Sequence, residues 1–194
     1  MARSDEQNRL ARERAKEALL DAATHLFAER GVHGATVADI TRSAGVAQGL
    51  VNYHFGSKDR LVAELVDRWF SLMVSFPEAR PGTADDRLRG IVDSSLQAAA
   101  ENMTLHRAVL AMQQDPTQRP FFVEAAERNS AAVTAAEDAV REIFRERGAA
   151  DPALEEVMLR TVLEGVVVKS ATGGDAFPLA AARRWVLARY GLDG

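Results

Sequence analysis

Along most of the chain, apolar residues recur three and four positions apart, with short polar or glycine-bearing interruptions. Leu19, Ala22, Ala23, Leu26 and Phe27 form one such stripe, which stops at Gly31. That spacing predicts a helix buried on one side. The next stripe is short: Val37, Ile40 and Ala44. Thr36 precedes it and Asp39 stands three residues on, the sequence form of a capping box. Gly45 follows, where a helix ends on a left-handed residue without a Cβ. After Val46 a second short helix is expected from about Ala47, with Val51 and Phe55 on one buried face. Gly56-Ser57 ends it, and Ser57 can cap the next helix. Two short helices around a glycine turn make a helix-turn-helix pattern.

From Ser57 to about Ser75, Leu61, Leu65, Trp69 and Met73 share one face, and Val62, Val66 and Phe70 share the next. A helix apolar over so wide an arc packs on two sides, as a connector between a head and a body does. Residues 77–82, P-E-A-R-P-G, break the pattern. Further helices are predicted over about 84–102, 105–114, 118–147, 151–172 and 177–190, separated by Asp115-Pro116, Gly148 and Gly173-Gly174. The start of the first helix is open, with Ser4 or Asn8 as candidate caps. Arg3, Arg9, Arg12 and Arg14 in this arm are candidate extra phosphate or minor-groove contacts, against the plainer reading of a solvated, frayed terminus. The expected fold class is all-α, with about nine helices. Residues 1–56 would form an N-terminal three-helix head and residues 57–194 a C-terminal helical body.

The second helix of the pair would show solvent Gln48, Gly49, Leu50, Asn52, Tyr53 and His54, and residues 42–57 hold no Asp or Glu. A phosphate-facing surface needs that local absence of repulsion. Gln and Asn can hydrogen-bond base edges, and Tyr and His can reach phosphates. Spacing alone leaves an ordinary helical hairpin with a polar outer face as an equal alternative. The run E-R-G-V-H-G-A-T-V-A-D-I-T-R-S-A-G-V-A-Q-G-L-V-N-Y-H-F-G-S-K-D-R-L resembles the N-terminal domain of the tetracycline-repressor (TetR) family of transcriptional regulators. The Ala44-Gly45-Val46 turn, Tyr53 and Phe55, and Ser57-Lys58-Asp59 before Leu61 fall in its register. Ala47 departs from it, since the family usually has Ser or Thr after the turn, so one helix cap and phosphate contact that the resemblance implies is missing; the aromatic run, here Asn52-Tyr53-His54, departs as well.

The resemblance implies a homodimeric repressor of a palindromic double-stranded DNA operator, released by a small-molecule effector. Gln48, Gly49, Leu50 and Asn52 would meet base edges, and Thr36, Tyr53, His54 and Lys58 would hold phosphates. It also implies a four-helix dimer bundle from the last two helices, whose apolar residues wrap most of the circumference. Met158, Val162, Gly165, Val166, Trp185, Val186 and Tyr190 are the candidate interface. Candidate effector contacts are Trp69, Met73, His106, Gln113, Phe121, Phe122, Met158 and Glu164, a mostly apolar set that suggests a largely apolar effector. The alternative is a ligand-binding protein of the same fold that activates, or that no longer binds DNA.

Composition narrows the other classes. The net charge is −4, but residues 1–60 hold nine Lys and Arg against eight Asp and Glu, and the rest fifteen against twenty. A near-neutral head on an acidic body suits a small DNA-reading domain on a larger regulatory one. There is no cysteine, so disulfides, thiolate metal sites and a Cys nucleophile are excluded. The four histidines form no ligand cluster. No phosphate-binding loop, dinucleotide fingerprint, H-E-x-x-H or nucleophile elbow occurs. No enzyme activity, cofactor or metal is expected. The lack of an apolar leader or membrane-length run leads us to expect a cytoplasmic protein.

Overall fold

The computed structural model describes residues 2–74 and 82–192. Among these residues there are nine α-helices, two 3₁₀ turns and no strand. The helices are α1 (Ala2–Arg30), α2 (Val37–Ala44), α3 (Gly49–Phe55), α4 (Lys58–Val74), α5 (Ala84–Glu101), α6 (Met103–Gln113), α7 (Arg119–Glu146), α8 (Pro152–Gly173) and α9 (Leu179–Arg189). The helical ranges expected from periodicity lie within a few residues of these. The expected break at 77–82 falls almost wholly outside the described residues. The first helix is continuous back to Ala2, so backbone hydrogen bonding runs on through the arginine-bearing stretch.

The chain divides into two compact units. The first takes in the residues up to Trp69 together with Arg107–Ala125, and the second takes in Phe70–His106 and the residues from Ala126 onward. In the first, α1 packs on α2 and α3, and α2 packs on α3. Leu19, Ala23 and Phe27 of α1, Ile40 of α2, Val51 of α3 and Leu61, Val62, Leu65 and Val66 of α4 are all fully buried there. Leu61 and Leu65 lie on one side of α4 and Val62 and Val66 on the next, so the wide apolar arc is used.

The second unit has its own core. Leu88, Ile91, Val92 and Leu96 of α5 meet Val140, Ile143 and Phe144 of α7, Leu159 and Leu163 of α8, and Val186 and Leu187 of α9. A second capping box starts α5: Thr83 Oγ1 accepts from Asp86 N at 3.2 Å, and Thr83 N donates back to Asp86 Oδ2 at 2.9 Å. Asp151 caps α8, with Pro152 in the first turn where no N–H is needed. No helix among the described residues is long and apolar enough to cross a membrane.

Candidate nucleic-acid interface

The pair α2 and α3 is set by three local devices. The first is the cap of α2. Thr36 Oγ1 accepts from Asp39 N at 3.1 Å, and Asp39 Oδ2 accepts from Thr36 N at 3.1 Å and from Thr36 Oγ1 at 2.6 Å. These bonds, first that from the Thr36 hydroxyl, hold the Asp39 carboxyl below the usual aspartate range. The second is the turn. Gly45 sits at φ +67°, and a Cβ there would meet nothing within 4 Å, so the glycine is required by backbone conformation and not by crowding. Gly45 N donates to Arg42 O at 3.2 Å and Val46 N to Thr41 O at 3.0 Å, which closes the end of α2. The third is the inward pair Val51 and Phe55, at 0% and 6% exposure, which fixes the rotation of α3 about its axis.

That rotation decides which side chains face out. Gln48, Gly49, Asn52 and Tyr53 are exposed, Leu50 is half-buried, and Tyr53 keeps 61% of its surface open. Gln48 makes no side-chain cap to α3, so its amide is not spent on the helix end. With Ala47 before it, α3 begins without a side-chain cap, as the departure at Ala47 led us to expect. The sequence reading passed over Arg42. It is exposed on the last turn of α2, pairs with Asp39 Oδ1 at 3.0 Å, and is the only Lys or Arg within the acid-free run 42–57.

Three expected phosphate contacts sit differently. Thr36 is exposed, but its hydroxyl proton goes to Asp39, so it acts as a cap. Lys58 turns inward: Nζ donates to Val32 O at 2.5 Å and lies 5.9 Å from the Phe27 ring centroid. Burial pushes its ammonium below the usual lysine range. His54 is half-buried, not solvent-facing, and its Nε2 is enclosed with no hydrogen-bond partner. Its ring packs edge-on to Tyr53 at 5.0 Å between centroids. Burial, and then the charges of Lys16 and Arg12, hold its pKa below the ordinary histidine value. Geometry moved these three because each lies at a helix boundary or on the seam with α1, where spacing does not settle direction.

The candidate effector residues divide between the two units. Trp69 and Phe122 meet edge-to-face at 6.4 Å between centroids, and Phe121 is half-buried in the same unit. Gln113, Met158 and Glu164 are exposed. Met73 is half-buried in the second unit, where His106 is also buried, with its pKa lowered by that burial. No group of three or more His, Asp or Glu among the described residues could hold a metal ion.

On α8 and α9 the candidate interface splits by side. Val186 is fully buried in the second core, and Val162, Val166 and Tyr190 pack against that core. These four point toward their own unit because α8 is apolar on both sides and only packing shows which is which. Met158, Gly165 and Trp185 face out. Leu154, Val157 and Val168, which belong to the apolar run expected to wrap α8, are exposed with them.

Residues 19–65 match the model of bacterial regulatory proteins of the tetR family. This match to the TetR family runs from within α1 to within α4. The repressor KstR2 of Mycobacterium tuberculosis is 34% identical to this chain over 118 residues, 57% of each protein. The chain thus spans little more than half the length of this curated relative. A putative transcriptional regulator from Pseudomonas aeruginosa PAO1 superposes with a TM-score of 0.69 at 25% identity, over 92% of this chain and 89% of that one. The transcriptional regulator FadR of Bacillus subtilis, solved in complex with stearoyl-CoA, has the same fold at 20% identity, with a TM-score of 0.71 over 89% and 95% of the two chains. The family and these relatives are transcriptional regulators, not enzymes.

Proposed function

We propose that this TetR-family chain is a homodimeric, DNA-binding transcriptional repressor whose hold on a palindromic operator is released by a small molecule. The observation that carries this reading is the outward face of α3. Gln48, Asn52 and Tyr53 stand exposed beside Gly49, in a stretch without a carboxylate. Gln48 and Asn52 would read base edges in the major groove, with Leu50 against a thymine methyl. Tyr53 and Arg42 would hold phosphates and set the register. Residues 1–56 serve as the reading head and 57–194 as the regulatory and dimerising body. Two heads related by a two-fold axis would occupy half-sites about 34–36 Å apart. The site of action is the cytoplasm, where the chromosome lies.

For the effector, the edge-to-face Trp69–Phe122 pair with Phe121 nearby supports a largely apolar molecule. The stearoyl-CoA held by B. subtilis FadR is of that kind. Selection of bound sequences from a random double-stranded DNA pool tests the main claim. A palindromic consensus is expected, and Asn52→Ala should lower affinity by about 1–3 kcal/mol and relax one position of each half-site. Recovery of no sequence above background, or an unchanged consensus with Asn52→Ala, would count against it. Repeating the selection with long-chain acyl thioesters, aromatic acids and polar metabolites would identify the releasing class.

A further inference from the structure

We propose that His33 is a positioning residue, tying the turn before α2 to the corner between α6 and α7 and carrying strain between them. The proposal rests on the DNA-reading assignment of α2 and α3 and adds how that head is controlled. His33 lies in the turn at residues 31–34. Its Nε2 is 3.0 Å from Asp115 Oδ2 and 3.1 Å from Thr117 Oγ1. Asp115 Oδ1 accepts from Thr117 N at 2.9 Å and from Thr117 Oγ1 at 2.7 Å, and Gln118 Nε2 donates to Thr117 Oγ1 at 2.9 Å. The Thr117 hydroxyl has only one proton, and Asp115 receives it. Toward His33 it must therefore accept, as the Asp115 carboxylate must. His33 Nε2 thus carries a proton and donates it to Thr117 Oγ1, with the Asp115 carboxylate within ion-pair distance beside it.

The two ends of this tie are fixed. On the corner, Gln118 is 5% exposed, and Asp115 N bonds Met112 O at 3.0 Å. On the head, Val32 is 6% exposed and its carbonyl takes the Lys58 ammonium. The next residues are the buried Ala35 and the α2 cap, Thr36. A displacement at Asp115 would thus arrive, through one imidazole, two residues before Ala35. The corner also groups with the head: Arg107–Ala125 belong to the first unit, whereas α6 begins, and α7 continues, in the second. Both helices thus pass from one unit to the other on either side of this corner. The tie is a second route to the head beside the covalent one through α4, and a coupling of this kind works equally in both directions.

The test is amide hydrogen exchange on the full-length chain. His33→Ala should speed exchange at Thr117 and Gln118, 84 and 85 positions away in sequence, by about two- to fivefold, the range of a largely exposed polar contact. Thr117→Val should do the same at Ala35 and Asp39. His33→Gln, whose amide can donate at a similar reach, should restore the wild-type rates. On DNA selected with the wild-type protein, the two single variants should each weaken binding by about two- to fivefold, and the double variant by no more than the larger single effect. Exchange changes confined to the mutated side, or strictly additive losses, would overturn the tie. If the protein bound no DNA, the exchange arm would still decide for or against the tie, and only the assignment of the head would fall.

Discussion

Replacing Trp185 with alanine should break the proposed dimer while leaving each chain folded. Trp185 is 60% exposed, on the outward side of α9, whereas its neighbours Val186 and Leu187 are buried in the core of the same unit. A fully open tryptophan offers about 250 Å², so roughly 150 Å² remains for a partner to cover. At about 25 cal/mol per Å² this is worth up to about 4 kcal/mol per chain, counted twice across a two-fold axis. Interface area converts only in part, because association also costs freedom of motion and ordering. A quarter to a half of the total leaves about 2–4 kcal/mol, or roughly 30- to 1,000-fold in dimer dissociation constant. Leu154, Val157, Met158 and Val168, at 56%, 41%, 47% and 40% exposure, would line the remainder. Sedimentation equilibrium from nanomolar to micromolar concentration reads the constant directly. Gly165→Glu is the companion variant: its Cβ would meet nothing within 4 Å in one chain, so only a partner could object. A wild-type monomer at tens of micromolar, or a constant unmoved by both changes, would refute the reasoning.

Gly45→Ala should lower stability by about 1–3 kcal/mol through backbone strain alone, since the site has open space around the added carbon; denaturant unfolding measures it. Lys58→Met should cost about 1 kcal/mol, by leaving the Val32 carbonyl with only the longer bond from Ala35 N at 3.4 Å. It should leave the slope of log affinity against log salt unchanged, where loss of a phosphate-binding lysine would lower it by about one. Asp39, Asp86 and Asp115 are all held below their ordinary pKa, chiefly by the hydroxyls of Thr36, Thr83 and Thr117. Depressed folded-state values mean that this stability is present above the unfolded aspartate value, about 3.9, and is lost as pH falls through the folded values. Melting temperature should therefore drop below about pH 4, and less steeply in Asp39→Asn.

Which features were legible in the sequence depends on the range of the forces that set them. Thr36, Asp39, Gly45, Val51 and Phe55 act within four residues, so the helix-turn-helix could be read from spacing. Ala47 told correctly of a missing cap. The direction of Lys58 could not be read, because the carbonyl that captures it belongs to Val32, 26 positions earlier. His54 is similar: the charges that act on its ring, Lys16 and Arg12, belong to α1, far from it in sequence. On α8 and α9 both sides are apolar, and periodicity carries no sign of which side is inner. Only packing against α5 and α7 separates Val186 from Trp185. For the effector residues no local rule operates. A binding surface is assembled from distant helices, and three of the eight candidates, Gln113, Met158 and Glu164, are exposed.

The same division explains how the fold persists at 20–25% identity in the two solved neighbours. Of the seven residues of α3, only Val51 and Phe55 are buried. They fix where the helix lies, while Gln48, Asn52 and Tyr53 are exposed and can change without disturbing the core. Under the proposed function, such an arrangement would let the DNA sequence read vary independently of stability. Charge adds direction to that freedom. Twenty acids against fifteen cations beyond residue 60 make the remainder of the chain repel a duplex, whereas residues 42–57 carry none of that repulsion. Raising salt should therefore weaken contact at the head while it relieves repulsion elsewhere. The fall of log affinity with log salt should then be shallower than the phosphate contacts of the head alone would give.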